Sequence, residues 1–298
     1  MINQKIRETV TLNNGVEMPR IGLGTVFLKE EIMRDALRYG FYNIDTATDY
    51  SNDEINGEEE VGKAIRSSGV DRKDVFVTTK LWNSSHGYEN ALKAFDYSLK
   101  TLGLDYVDLY LIHWPCPDFD DYIDTWKAFE KLYKDGLVRA IGVSNFFPEW
   151  LERIKQECET IPAVDQVEYH PFFQQRHVYE YCRANGIQTE AFSPMCKGRV
   201  VTDPTLVRIG AKYGKTGPQV TARFLYQEEI CFITKSSTLD HLKETVDIFD
   251  FALSEEDMAE IRALSSPEGR INMDPRTFHE LMNLKDQIKA GKAKYAVK

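Results

Sequence analysis
The feature that most constrains the fold is an eight-fold alternation. The short apolar runs "PRIGLGT", "FYNI", "VFVTT", "VDLYLI", "RAIGVS", "AVDQV", "IQTEAF" and "ICFIT" are separated by longer stretches of helical periodicity. Short runs that stay largely apolar read as strands buried on both faces, as a parallel sheet covered by helices requires. Between them Tyr88, Leu92, Phe95, Leu99 and Leu102 recur at helical spacing, as do Tyr122, Trp126, Phe129 and Tyr133, so each set predicts a helix stripe facing a core. "KDG" at 134–136 predicts a helix stop, and Pro218 suits a first helical residue. Eight strands alternating with helices predict an α/β fold, a parallel (β/α)8 TIM barrel. No linker or low-complexity tract divides the 298 residues, so residues 1–298 are expected to form one domain.

Ahead of the first run, "TVTLNNGVEMPR" predicts a β-hairpin turning at Asn13, Asn14 and Gly15, as a lid or plug. A doubly wound sheet is the main alternative. "IGLGTVF" argues against it, because Phe27 stands where the dinucleotide fingerprint needs a third glycine and no helix clearly starts there.

Composition narrows the function classes. The net charge of −10 disfavours nucleic-acid and anionic-membrane surfaces. With neither a signal peptide nor a membrane-length apolar stretch, a cytoplasmic protein is expected. Cys116, Cys158, Cys182, Cys196 and Cys231 form no Cys-x-x-Cys pair and read as reduced thiols. The histidines lack paired metal-ligand spacing, so no metal is expected.

In such a barrel chemistry gathers where strands end. Asp45 follows "YNI", Lys80 follows "VFVTT", His113 follows "LYLI", Ser144 and Asn145 follow "AIGV", Ser193 follows "TEAF" and Lys235 follows "CFIT". Singly, Asp45 reads as a turn or capping acid, Lys80 as a solvated loop lysine, Tyr50 as a packing residue and His113 as a satisfied core histidine. Together they fit proton donation to an oxygen that gains negative charge. A tyrosine titrates too high for efficient exchange at neutral pH, and a nearby ammonium lowers it. Lys80 would supply that ammonium, Asp45 its counterion, and His113 a hydrogen bond orienting a carbonyl.

The motifs "GLGT" at 22–25, "DTATDY" at 45–50, "TTKLW" at 78–82, "LIHWP" at 111–115, "GVSNF" at 142–146, "QVEYHP" at 166–171 and "ITKSS" at 233–237 are similar, in order and type, to those of the aldo-keto reductases. The resemblance covers nearly the whole chain. It implies a catalytic tetrad of Asp45, Tyr50, Lys80 and His113, with Tyr50 as general acid in carbonyl reduction. It implies a nicotinamide carboxamide held by Ser144, Asn145 and Gln166, and a ribose phosphate bound by Lys235 and Ser236. Gly24, Thr25, Asp45, Phe192, Ser193, Met195, Ser237, His241 and Glu244 complete the implied cofactor site.

Three departures qualify what the resemblance implies. Phe192 in "FSPM" keeps the aromatic face of the family's usual tyrosine and loses the hydroxyl. His241 replaces an arginine frequent there, which weakens the grip on a 2'-phosphate, so NADPH is expected with NADH also accepted. Val26 replaces a tryptophan common among relatives, while Trp82 and Trp114 provide an aromatic pocket wall. The segment after Ser266, with Phe278, Leu281 and Met282, resembles a C-terminal substrate loop. "SNDEINGEEEVG" is longer than the family's usual segment and is expected to edge the substrate entrance. The expected partner is a small aldehyde or ketone, acted on by a monomer, with a dimer as the alternative. A non-catalytic nicotinamide-binding regulatory subunit on the same barrel is the alternative function.

Overall fold
The computed structural model describes residues 4–281. All eight apolar runs are strands. A hairpin of β1 (Thr9–Thr11) and β2 (Glu17–Pro19) precedes β3 (Ile21–Gly24), β4 (Asn43–Asp45), β5 (Phe76–Leu81), β6 (Val107–Ile112), β7 (Val138–Ser144), β8 (Val164–Glu168), β9 (Gln188–Phe192) and β10 (Cys231–Thr234). The last eight pair in parallel, and β10 closes on β3 to complete a barrel. Outside it run α1 (Glu30–Tyr39), α2 (Gly57–Ser68), α3 (Tyr88–Leu102), α4 (Tyr122–Lys134), α5 (Pro148–Glu157) and α6 (Arg176–Ala184). They are followed by α7 (Arg199–Thr202), α8 (Pro204–Tyr213), α9 (Gly217–Gln227), α10 (Leu239–Thr245) and α11 (Glu255–Arg262).

Helix limits follow local chemistry. The two aromatic stripes become α3 and α4, where Phe95, Leu102, Trp126 and Phe129 are buried. Tyr88 sits on the exposed first turn, so the stripe is core along its length except at its end. Gly136 takes the left-handed turn just beyond α4. Pro218 falls in the first turn of α9, behind a capping box between Thr216 and Gln219.

Two cores result. One lies between strands and helices, where Tyr110 stacks on Phe129 with ring centroids 4.3 Å apart. The other fills the barrel. Leu109, Leu111, Ala140 and Val164 form its lower layer, closed from below by Leu12 and Met18 of the hairpin. Asn13 Nδ2 donates to the Pro162 carbonyl and Asn14 Nδ2 to the Arg139 carbonyl, each at 2.9 Å, fastening the hairpin turn across the amino-terminal strand ends. The hairpin is therefore a plug at the end opposite the site described below. Above the apolar layer the inward positions turn polar, with Asn43, Asp45, Lys80, Gln166 and Glu190 all buried. Gly22 makes room for this layer, since a Cβ there would lie 2.9 Å from Asn43 Nδ2.

The acidic insert departs from expectation. Residues 51–56 fold on themselves: Ser51 bridges to Asn56, and Asn52 Oδ1 accepts from Glu54 and Ile55 amides, each at 2.8 Å. Glu58, Glu59 and Glu60 lie in the first turn of α2, capped by Asn56; Glu59 and Glu60 pair with Lys63, and Glu58 is buried against Thr79. None of residues 51–56 lines the active-site cavity.

Candidate active site
At the carboxyl ends of the strands lies a cavity of about 530 Å³. It gathers Gly24, Val26, Asp45, Tyr50, Trp82, His113, Trp114, Ser144, Asn145, Gln166, Phe192, Ser193, Met195 and Lys235 from the residues singled out in the sequence. Lys80 lies beneath it, fully buried, and Thr25 is buried with its hydroxyl donating to the Asp45 carbonyl at 2.9 Å. Ser236, Ser237, His241 and Glu244 do not line the cavity. They follow Lys235 on the turn after β10 and on α10, with Ser237, His241 and Glu244 exposed.

Strand pairing sets the geometry of the floor. Asp45 closes β4, one strand from Lys80 on β5. Lys80 Nζ donates to Asp45 Oδ1 at 2.6 Å, to the Thr46 carbonyl at 3.0 Å and to Tyr50 OH at 3.3 Å. A buried ammonium is thus paired and hydrogen-bonded, the condition for tolerating it. His113 stands beyond Tyr50, its ring edge-on with centroids 5.9 Å apart.

The expectation that Lys80 lowers the Tyr50 pKa is overturned. Burial first, then the charges of Asp45, Asp49 and Glu190, push the phenol well above its ordinary value. One ammonium is outweighed by desolvation and three carboxyl groups. The Tyr50 ring is half-buried and open to the cavity, so desolvation becomes complete when the cavity is filled. A phenol held in its protonated form suits proton donation rather than abstraction.

The polar wall beside the floor is committed in a definite sense. Asn145 takes a left-handed conformation at φ 66° and spends its Nδ2 on the His113 carbonyl and Ser144 Oγ, each at 3.0 Å. Ser144 Oγ donates to the Gln166 carbonyl at 2.7 Å. Gln166 Nε2 donates to Asp45 Oδ2 and Glu190 Oε2, both at 2.8 Å. The side-chain oxygens of Asn145 and Gln166 receive no hydrogen bond from the described residues, so these two amides offer acceptors. The resemblance implied partners of both kinds; here the amide donors are used internally. Lys235 is accessible at the cavity, yet the surrounding protein lowers its pKa by desolvation.

Trp82, Trp114 and Phe278 form the aromatic wall, with the Trp114 and Phe278 centroids 4.4 Å apart. The C-terminal segment is held over them. Trp82 Nε1 donates to the Leu281 carbonyl at 3.1 Å, and Asn83 Nδ2 to the Glu280 carbonyl at 2.9 Å. Glu168, at the end of β8, accepts from the Ile271 amide at 2.7 Å and the Asn272 amide at 3.0 Å. Burial alone would raise its pKa, but His170 and these amides bring it below the ordinary value. Leu281 is exposed, and Met282 lies outside the described residues.

Sequence reasoning passed over three carboxyl groups here. Asp49 lines the cavity with Oδ1 3.2 Å from His113 Nδ1, without the alignment of a hydrogen bond. Glu168 holds the C-terminal segment. Glu190 lies inside the barrel, where an acid within the apolar run "IQTEAF" was the available signal.

A closed parallel barrel with this polar floor defines an oxidoreductase of the (β/α)8 class. Residues 26–266 match the Aldo/keto reductase family, and the chain belongs to it. It is 46% identical over 275 residues to the glyoxal reductase of Bacillus subtilis, covering 91% of this chain and 97% of that protein. It is 43% identical over 284 residues to the morphine 6-dehydrogenase of Pseudomonas putida, covering 90% and 94%. Among solved structures, a Gox0644 mutant in complex with NADPH superposes with a TM-score of 0.85 at 38% identity, covering 91% of this chain and 98% of that one. The chain is an enzyme that reduces carbonyl compounds, acting on small molecules.

Proposed function
We propose that this single barrel reduces an aldehyde or ketone to an alcohol with NADPH, with Tyr50 as general acid and Asp45, Lys80 and His113 as its supporting groups. The observation that carries this reading is the reach of Lys80 Nζ to both Asp45 Oδ1 and Tyr50 OH beside the cavity. The residues present fit the cofactor. The acceptor oxygens of Asn145 and Gln166 suit a carboxamide N–H, Phe192 offers a face for stacking, and Lys235 offers charge to a phosphate. A bound nicotinamide would supply the hydride to the carbonyl carbon.

The protein's part is proton delivery and orientation. Tyr50, held protonated, donates its proton to the carbonyl oxygen as negative charge develops there. Lys80 stabilises the phenolate that remains, and Asp45 is paired with Lys80. His113 orients the carbonyl from beside Tyr50. Trp82, Trp114 and Phe278 exclude water from the reacting centre.

The substrate is a small α-dicarbonyl. The similarity to a glyoxal reductase and the short aromatic wall closed by Phe278 support this. One chain contributes every one of these groups, which supports a monomer; light scattering of the purified protein tests it. All five cysteines are free, which supports a reducing cytoplasm, as localisation of a tagged chain would test. Among the described residues no helix is long and apolar enough to cross a membrane. Loss of reduced-nicotinamide absorbance with a carbonyl panel tests the function. Turnover of glyoxal-type substrates well above that of bulky ketones is expected, and the reverse order defeats the substrate assignment.

A further inference from the structure
Glu190 is fully buried inside the barrel and has no place in proton delivery. It stands on β9 opposite Gln166 in the strand register, and each oxygen of its carboxyl accepts one hydrogen bond. Oε2 accepts from Gln166 Nε2 at 2.8 Å and Oε1 from Asn43 Nδ2 at 3.1 Å. Asp45 Oδ2 accepts from the same Gln166 nitrogen at 2.8 Å. Two carboxyl groups therefore share a floor with one ammonium, Lys80, which is paired to Asp45. A second buried acid beside the first is costly, and burial together with Asp45 raises Glu190 to about 7.

We propose that Glu190 is a positioning residue that fixes the polarity of the Gln166 amide. Both N–H groups of Gln166 Nε2 are spent downward, on Asp45 and Glu190. With Glu190 ionised, turning the amide over would set its oxygen against two carboxylates and lose both hydrogen bonds. The oxygen is thereby presented to the cavity as an acceptor, and the site reads the N–H of the cofactor's carboxamide. Asp45 alone engages one N–H, while Glu190 engages the second and removes the alternative orientation. The inference rests on the assignment of Gln166 to the nicotinamide site.

The test uses the full chain and two probes, NADPH and its 3-acetylpyridine analogue, which keeps the ring carbonyl and replaces the amide NH2 by methyl. Binding is read by protein fluorescence quenching. The wild type is expected to prefer NADPH about ten-fold, as a site built to hydrogen-bond a donor rejects a ligand lacking it. In Glu190→Met, which leaves no acceptor of that strength, the preference falls to about two-fold or less through weaker NADPH binding, with the analogue's affinity nearly unchanged. A folded Glu190→Met protein that keeps the wild-type ratio overturns the role of Glu190. A wild type with no preference, together with unaltered NADPH affinity in Gln166→Met, instead defeats the assignment of Gln166 to the cofactor. Neutron diffraction of the deuterated wild type with NADPH gives the answer without a variant: nitrogen toward Glu190 supports the proposal, and oxygen toward Glu190 overturns it.

Discussion
Gly57 packs against the backbone of Tyr50. Its amide donates to the Tyr50 carbonyl at 3.0 Å, and a Cβ on Gly57 would lie 2.5 Å from that same oxygen. The start of α2 thus fixes the backbone from which the proposed proton donor projects. Gly57→Ala must displace one or the other, and kcat is expected to fall about ten-fold or more, as small misplacements of a reacting group do. An unchanged kcat would show that the contact does not position Tyr50.

Tyr50→Phe removes the proton and leaves the ring. Reduction is expected to fall about 10²–10⁴-fold, the usual contribution of a general acid, with NADPH affinity within about two-fold of wild type. Activity retained within a factor of about three would mean that another group donates the proton.

Lys80 and Asp45 are both buried, so breaking the pair leaves an uncompensated charge. Asp45→Asn is expected to cost about 3–5 kcal/mol in urea denaturation, and the double replacement Asp45→Leu with Lys80→Met to recover much of that loss while remaining inactive. A double variant no more stable than Asp45→Asn would contradict this account.

Burial raises the Glu58 carboxyl to about 7, against a hydrogen bond from Thr79. Unfolded, the same carboxyl titrates near about 4.3. The folded chain therefore holds a proton that the unfolded chain has lost, and stability falls as pH rises across that window and levels off above it. Glu58→Gln should remove this slope, gaining roughly 1–3 kcal/mol over wild type at pH ~8 relative to pH ~5. Parallel stability curves for the two proteins would rule it out.

Lys235→Ala is expected to weaken NADPH binding about ten-fold and NADH binding about two-fold or less, because a charge-assisted contact to a 2'-phosphate is lost in one case only. His241→Arg should tighten NADPH selectively. Equal shifts for the two dinucleotides would remove both residues from phosphate recognition, and equal or better saturated turnover with NADH would overturn the NADPH preference.

The strands were legible because burial on both faces leaves its mark within each short run. The motif residues were legible because strand ends converge at one barrel face. Relations between distant strands left no such mark. Gln166 and Asp45 are 121 residues apart and meet through barrel closure, which no local pattern encodes. The sign of the Tyr50 shift is hidden for a related reason: the burial that dominates it, and the charges of Asp49 and Glu190 beside that of Asp45, arise only in the folded barrel. The acids of the insert suggest an entrance by their proximity to Tyr50, yet residues 51–56 stay out of the cavity and Glu58 turns inward to Thr79.

The hairpin plug also sets a timetable. Residues 9–19 leave the ribosome before the barrel strands, but Asn14 and Asn13 are fastened to carbonyls 125 and 149 residues later in the chain. Synthesis from the amino terminus therefore produces Leu12 and Met18 long before the barrel they seal exists. During that interval these apolar side chains are open to other partners, so a piece made before the barrel strands is shut in only after them.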